Sequence, residues 1–404
     1  MKRLTALILA ALMLLGCLAG CGAKHEKNVV MTVDGSEVTW DELVYWINYA
    51  QSELSSYYSS YGYELDWNDK CVFDKDVTNA QWCLKRAKEN AVEIHVHELK
   101  AKEMGVEFTE EDQADMDEYI QQFASYYAGE DATEEKLDEF LRSNAGYTLD
   151  VFKYLYRMSI YVEKLQTKLF GEDGADISDE DVLSFADSNG YITANHILLM
   201  TVDENGEALS DSVIAEKKQQ AEDIAAELQA ITDTDELLVR FTELKTEFCE
   251  DTGKLYYPDG YCFTSGMMVT EFDEGARALE EYQVSDPVES RYGYHVIMRL
   301  PNEADASVTS SSSTSTLRQL CMSQKYNEML EEWIDGYEAE YVNGYSDDTL
   351  LAFFGDDGFE AKFYGESDEA EPEDTAAPEE SAAPEESAAP EESAAPEESA
   401  APEE

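Results

Sequence analysis

The sequence predicts an α+β protein in which a small sheet domain follows a longer, mainly helical region. Two patterns predict it: apolar residues recur at helical spacing through residues 39–190, and strands alternate with helices between residues 193 and 300. A length of 404 residues suits two or three domains. Because 43% of the residues are hydrophobic, most of the chain can bury a core.

The chain is strongly acidic, with 28 Lys and Arg against 89 Asp and Glu and a formal net charge of −61. Nucleic-acid binding needs clustered cations that meet the phosphates, so we expect no nucleic-acid partner. The composition also argues against docking on anionic lipid through a basic face.

Residues 1–20 have the pattern of a secretory signal peptide. Lys2 and Arg3 precede the uncharged run 4–18, which is too short to span a membrane comfortably. The ending Leu18-Ala19-Gly20-Cys21 resembles a bacterial lipobox, which implies that Cys21 becomes the first mature residue and carries a lipid. The alternatives are an ordinary signal peptide with an incidental Cys, or an uncleaved anchor.

A short strand at 29–33 and a turn at Asp34-Gly35 are predicted to precede the helical region. Thr39 and Glu42 fit a capping box at the start of the first helix. One face of that helix is apolar and consists of Leu43, Trp46, Ile47, Ala50 and Leu54.

The second helix runs from about residue 84 to Gly105, and helical patterns continue over 109–127, 133–141 and 148–170. His95 and His97 lie two residues apart on the second helix, so their side chains point to different sides. We therefore expect no shared metal ion and a surface or boundary position for both.

The region from residue 193 to residue 300 is predicted to alternate strands and helices. Its predicted elements are a strand over 194–201, helices over 213–230 and 235–248, a short strand near Cys262, a helix over 271–282 and a strand over 292–300.

Five cysteines remain once Cys17 leaves with the signal peptide and Cys21 is lipidated. An odd number cannot close completely into disulfides within one chain. Cys71 with Cys83, or Cys249 with Cys262, could pair, but spacing alone does not show that either pair forms. No Cys-x-x-Cys occurs, so a zinc site has no support.

The end of the chain is of low complexity. Residues 366–404 contain 16 acidic residues and no Lys or Arg, with Ala-Ala-Pro-Glu-Glu-Ser repeated every six residues. Proline at this period blocks a helix and like charges repel, so we predict an acidic disordered tail over 346–404. The polar stretch 307–316 is predicted to be a linker or flexible loop, and the amphipathic piece 345–364 has no assigned role.

Three segments resemble, in order, the motifs of parvulin-type peptidyl-prolyl isomerases. Residues 194–199 (Ala-Asn-His-Ile-Leu-Leu) resemble the opening strand, and residues 263–272 (Phe-Thr-Ser-Gly-Met-Met-Val-Thr-Glu-Phe) the central loop and helix start. Residues 284–288 (Val-Ser-Asp-Pro-Val) and 292–297 (Tyr-Gly-Tyr-His-Val-Ile) resemble the closing strands. The resemblance covers about a quarter of the chain and implies a parvulin-like small antiparallel sheet with surrounding helices.

The resemblance implies a set of site residues. His196 and His295 match the family's paired histidines, and Asp251 matches the acidic form of its Cys-or-Asp position. Met268 and Phe272 match the apolar wall that receives the proline ring. The histidines either tune the local field or serve only as scaffold, and no metal or other cofactor is implied.

The chain departs from the family pattern at two places. The segment Asp259-Gly260-Tyr261-Cys262 replaces the usual Gly-Asp-Leu-Gly, so the apolar Leu of the pocket is missing. Tyr292 stands where some members carry a small hydroxyl residue. Either change could shift substrate preference or lower activity.

Taken with the lipobox, the resemblance implies an extracytoplasmic foldase lipoprotein of the PrsA type, held on the outer face of a bacterial cell membrane. Its partners would be unfolded or partly folded secreted polypeptides with X-Pro bonds, and the alternative is a weak or inactive holdase chaperone. Three units are predicted after the signal peptide. Residues 21–190 form a helical chaperone domain, and residues 191–301 form an isomerase domain inserted in it. Residues 302–345 are a linker and a helix that returns to the chaperone domain.

Overall fold

The computed structural model describes residues 28–127, 129, 133–308, 315–355 and 357–359. The predicted signal peptide, the lipobox with Cys21, and the acidic repeats lie outside these residues. Within the described residues, no helix combines the length and the apolarity needed to cross a membrane.

The helical domain opens with a hairpin of strands β1 (Val29–Val33) and β2 (Ser36–Thr39). Asp34 and Gly35 both have positive φ, as a two-residue hairpin turn requires, so the predicted turn is confirmed. The helices that follow are α1 (Trp40–Ser60), α2 (Asn79–Glu103), α3 (Glu110–Tyr127), α4 (Glu134–Ala145) and α5 (Leu149–Phe170).

Threonine hydroxyls fix where several of these helices begin. Each accepts a hydrogen bond from a backbone N–H of the first turn, and the residues are Thr39, Thr78, Thr133 and Thr148. The predicted capping box at Thr39 is only half formed. The Glu42 carboxylate instead accepts hydrogen bonds from Trp46 Nε1 and His95 Nε2 inside the core.

The expectation that His95 and His97 lie at the surface or boundary is wrong, because both side chains are buried. Helix α2 packs against other helices on both sides, which covers the two faces on which these histidines lie. His95 contacts Glu42, and the His97 ring stacks 5.8 Å from the ring of Tyr326, a residue that follows the sheet domain in the chain.

The sheet domain follows helix α6 (Asp179–Ser188). It contains β3 (Ile192–Met200), α7 (Asp211–Gln229), α8 (Thr234–Phe248), β4 (Tyr261–Phe263), α9 (Thr270–Arg277), β5 (Val288–Ser290) and β6 (Gly293–Leu300). Short strands β7 (Ser307–Val308) and β8 (Ser315–Thr316) extend it, and the sheet order is β5-β6-β3-β4-β7-β8. All pairings are antiparallel except that between β4 and β7, so the expected small antiparallel sheet is confirmed.

Two local predictions for this domain need correction. The helix predicted over 271–282 ends at Arg277, because Tyr282 takes a positive φ and its N–H donates to the carbonyl of Arg299 on β6. The polar stretch 307–316 is not entirely a loop, since its two ends pair as β7 and β8.

The chain then returns to the helical domain. Helix α10 (Leu317–Ile334) places Tyr326 against Ala101 and Leu165 of the helical domain. Strand β9 (Ala339–Tyr341) adds to the opening hairpin by pairing with β1.

The segment after β9 is part of the same domain, although the predicted disordered tail begins at residue 346. Helix α11 (Asp347–Leu351) and the hairpin of β10 (Phe354–Gly355) and β11 (Gly358–Phe359) bury Leu350 and Phe359 in the core around Trp40. Apolar side chains of the unassigned amphipathic piece thus complete the helical core, and the ordered fold extends at least to residue 359.

The five described cysteines are all buried and free.

Candidate active site

The two central strands of the sheet bring His196 and His295 together. Strands β3 and β6 pair in a register that sets His295 opposite Leu198, so His196 and His295 share one face of the sheet. Their Nδ1 atoms lie 3.0 Å apart, and the rings are 5.1 Å apart at an angle of 25°. Both side chains are buried.

Asp251 reaches this pair from the loop after helix α8. The N–H of Glu250 donates to the carbonyl of Leu198, which holds the loop against β3. Asp251 Oδ2 then lies 2.9 Å from His196 Nε2 and also accepts from the hydroxyl of Tyr261, while Oδ1 accepts from the N–H of Gly253 at 2.8 Å.

The electrostatics of the site favour an ionised Asp251 beside a neutral His295. Burial alone would raise the pKa of Asp251, but the hydrogen bonds from His196, Tyr261 and Gly253 bring that pKa well below its usual range. Burial lowers the pKa of His295 to about 3, helped by the neighbouring His196. Asp251 is therefore ionised and His295 neutral at neutral pH.

The donors and acceptors form a chain with one direction. Ionised Asp251 can only accept, so His196 donates to it from Nε2. Neutral His295 carries one ring proton: on Nδ1 this proton is donated to His196 Nδ1, and Nε2 is left to accept from the hydroxyl of Ser290, 2.7 Å away. The Ser290 oxygen also accepts from the N–H of Tyr292. Every polar atom in the chain has a partner.

An apolar wall stands beside the histidines. The Phe272 ring lies edge-on, 5.1 Å from the His196 ring and 5.5 Å from the His295 ring. Phe272 is also 3% exposed and packs on Phe263, so it belongs to the domain core as well as to the wall. Half-buried Met268 extends the wall along a cavity of about 900 Å³ that all five sequence-predicted residues line.

Sequence reasoning missed two members of this site, Tyr261 and Ser290. The sequence motif indicated only that the segment 259–262 lacks the apolar Leu of the pocket. In the structure, the hydroxyl of Tyr261 donates a hydrogen bond to Asp251. The small hydroxyl that contacts His295 comes from Ser290, and Tyr292 is instead 40% exposed at the cavity rim. Ser290 could have been found from the sequence, because a hairpin of β5 and β6 brings a residue five before His295 back beside it.

Comparison with known proteins agrees with the resemblance. The family model described as "Rotamase: PPIC-type PPIASE domain" matches residues 196–300, which hold His196, Asp251, Met268, Phe272 and His295. This match covers the sheet domain and not the helical one.

Several relatives carry the name foldase protein PrsA, and three of them show the range of the match. That of Oceanobacillus iheyensis is 35% identical over 35% of this chain and 40% of its own length, and that of Halalkalibacterium halodurans is 29% identical over 46% and 50%. The Clostridium perfringens protein is 23% identical over 81% of this chain and 89% of its own length. The chain thus spans half or less of the length of the first two relatives.

Solved structures also align, among them the crystal structure of PrsA from Bacillus subtilis. It covers 66% of this chain and 90% of its own, at 18% identity and a TM-score of 0.25.

Proposed function

We propose that this chain, whose residues 196–300 form a PPIC-type domain, is a peptidyl-prolyl cis–trans isomerase that acts as a foldase for secreted polypeptides. One observation carries the proposal: a cavity of about 900 Å³ sets an apolar wall of Phe272 and Met268 beside the linked side chains of His196, Asp251 and His295. An X-Pro segment is the ligand whose shape and chemistry this arrangement fits.

The chemistry of the reaction needs no covalent step. Rotation about an amide costs about 18–20 kcal/mol because it breaks resonance, and resonance also places negative charge on the oxygen and positive charge on the nitrogen. The twisted amide is therefore less dipolar than either planar form. Apolar side chains that shield the bound amide from water favour the twisted form, which lowers the barrier.

Each side chain has a role in this account. Phe272 and Met268 hold the proline ring, and they fix it while the preceding residue turns. Because His295 and His196 donate only to each other and to Asp251, neither offers a proton that would stabilise the planar carbonyl. The Asp251 charge fixes the direction of this chain and thereby the orientation of both rings.

A protease-coupled assay on Ala-Xaa-Pro-Phe tetrapeptides tests the proposal. The wild-type chain is expected to accelerate isomerisation, and Met268→Ala is expected to lower kcat/KM by about tenfold, because it removes part of the ring-binding wall. Tyr256→Ala is the matched control, since Tyr256 is 81% exposed and does not line the cavity. Absence of acceleration by the wild type would contradict the proposal.

The same assay separates this function from the holdase alternative, in which the domain binds chains without isomerising them. The alternative depends on the altered segment 259–262. Because Tyr261 in that segment donates a hydrogen bond to Asp251, the segment adds to the polar chain, and the alternative is not favoured.

We further propose that the protein acts on the outer face of the cell membrane. This rests on the lipobox-like ending at Cys21, whose lipid would be the anchor, and on the strongly acidic composition, which provides no basic face for anionic lipid. The proposed substrates are unfolded or partly folded polypeptides with X-Pro bonds that emerge from export.

A further inference from the structure

We infer that Tyr261 is a positioning residue for the isomerase reaction: its hydroxyl, for which Gly253 leaves room, holds the Asp251 carboxylate against His196. The inference rests on the proposed function, and it concerns a position where the chain departs from the motif it resembles.

The hydroxyl of Tyr261 binds the same carboxylate oxygen of Asp251 that accepts from His196. It donates to Asp251 Oδ2, the atom that lies 2.9 Å from His196 Nε2. The Tyr261 ring is buried and stands edge-on to the His196 imidazole, 5.5 Å away at 85°. Because Tyr261 pairs with Ala194 across strands β4 and β3, the sheet itself sets the height of the hydroxyl above the site.

Gly253 makes this contact possible in two ways. A Cβ atom at this position would lie 2.1 Å from the Tyr261 hydroxyl oxygen, a distance that no real side chain tolerates. The backbone N–H of Gly253 meanwhile donates to Asp251 Oδ1 at 2.8 Å. Gly253 therefore donates to Oδ1 of Asp251 and leaves space for the Tyr261 hydroxyl, which donates to Oδ2.

The loop between Asp251 and Tyr261 is fastened, so the hydroxyl cannot readily swing away. The buried Lys245 ammonium donates to the carbonyl of Pro258 at 2.8 Å, and the Tyr257 ring packs 5.0 Å from the Tyr261 ring. The first contact ties the loop to helix α8, and the second packs it against Tyr261 on β4. The hydroxyl thus meets the carboxylate in a preorganised position.

Loss of the hydroxyl would leave Asp251 with two donors and free one lone pair beside His196. The carboxylate could then rotate, and the imidazole that it orients would follow. A hydrogen bond from a neutral group to a charge is strong enough that we expect Tyr261→Phe to lower kcat about tenfold, with KM changed less than twofold.

A double-mutant cycle tests whether Tyr261 acts through Asp251. The full-length chain is compared with Tyr261→Phe, Asp251→Ala and the double variant in the tetrapeptide assay. If the inference holds, Tyr261→Phe costs about tenfold in the wild-type background and less than twofold in the Asp251→Ala background. Equal losses in both backgrounds would overturn it, because a purely structural role does not depend on the carboxylate.

A second variant and a spectroscopic signal keep the test independent of activity. Gly253→Ala displaces the hydroxyl while it retains Tyr261, and Tyr257→Phe removes a neighbouring hydroxyl as the control. The ¹⁵N shift of His196 Nε2, which reports donation to the carboxylate, is expected to move in Tyr261→Phe and Gly253→Ala and to stay in Tyr257→Phe.

An unchanged shift in Tyr261→Phe would overturn the inference even if the enzyme is active. An inactive wild type would overturn the proposed function instead, and the shift would then decide whether Tyr261 holds the carboxylate.

Discussion

At the scale of single residues, the site combines one fixed charge with a one-way series of hydrogen bonds. Asp251 accepts three donors, and His295 is kept neutral by burial. The two histidines and Asp251 thus have their hydrogen bonds before a substrate arrives, and we expect the apolar wall to provide most of the binding. That wall is where a single truncation is most informative.

Phe272→Ala is expected to abolish most isomerase activity and also to lower the free energy of unfolding of the sheet domain. The ring is buried and shared between the cavity wall and the core, so its loss should cost about 3–5 kcal/mol. Met268→Ala, at a half-buried position, should lose activity with a much smaller change in stability. Urea unfolding and the tetrapeptide assay on the same samples check this, and unchanged turnover in a folded Phe272→Ala would place the pocket elsewhere.

Acid is expected to destabilise the protein below pH 6.5. Burial lowers the pKa of His97 to about 4 and that of His295 to about 3, whereas the unfolded chain binds these protons near pH 6.5. The unfolded state therefore binds more protons in this window, and each histidine should remove about 1.4 kcal/mol of stability per pH unit. Asp251, with its lowered pKa, acts in the same direction below about pH 4.

Urea unfolding at pH 7.0, 6.0 and 5.0 measures this slope. In His97→Gln, the loss of stability of the helical domain per pH unit should be smaller by the contribution of one histidine. Equal stability of the wild-type protein at all three pH values would contradict the lowered pKa values of His97 and His295.

At the scale of elements, the sequence indicated most helix starts and the two central strands, because capping residues and apolar spacing are local signals. The Thr39 hydroxyl, for example, caps α1 as predicted. Tertiary contacts decided the rest. The Glu42 carboxylate binds His95 and does not complete the capping box. The N–H of Tyr282 donates to the carbonyl of Arg299, so the helix predicted to reach residue 282 does not continue that far. The link between Tyr261 and Asp251 joins two segments ten residues apart, and no local pattern announces it.

Tyr326→Ala is expected to destabilise the helical domain by about 3 kcal/mol and to leave isomerase activity unchanged at low temperature. Tyr326 on α10 is buried against Ala101 and Leu165, far along the chain from the site. Tryptophan fluorescence isolates the helical domain, because no tryptophan falls within residues 191–301; the five are Trp40, Trp46, Trp67, Trp82 and Trp333. If the variant loses activity at the same urea concentration at which its tryptophan fluorescence reports unfolding, the two domains unfold as one unit.

In the whole molecule, the chain leaves the helical domain, forms the sheet domain and returns to complete the first fold. Strand β9 and helix α10 both close on elements that precede the insertion. Because the helical domain begins at residue 29, few residues separate it from Cys21, and a lipid there would hold this domain close to the membrane.

Cys21→Ser is expected to move the protein from the membrane fraction to the soluble fraction. The lipid at Cys21 is the one anchor that we propose, and the acidic composition gives no electrostatic substitute. Fractionation of cells that express the two forms measures the change. A variant that stays bound to membranes would show that another segment anchors the chain.

Exchange between the cis and trans forms of an Ala-Ala-Pro-Phe peptide, followed by NMR without any protease, shows whether the protein itself speeds isomerisation. Uncatalysed exchange takes tens to hundreds of seconds, so acceleration by a catalytic amount of the full-length protein is easily detected. We expect rapid exchange with the wild type and strongly reduced exchange with Met268→Ala. A wild-type protein that binds the peptide and leaves its exchange rate unchanged would contradict the isomerase assignment.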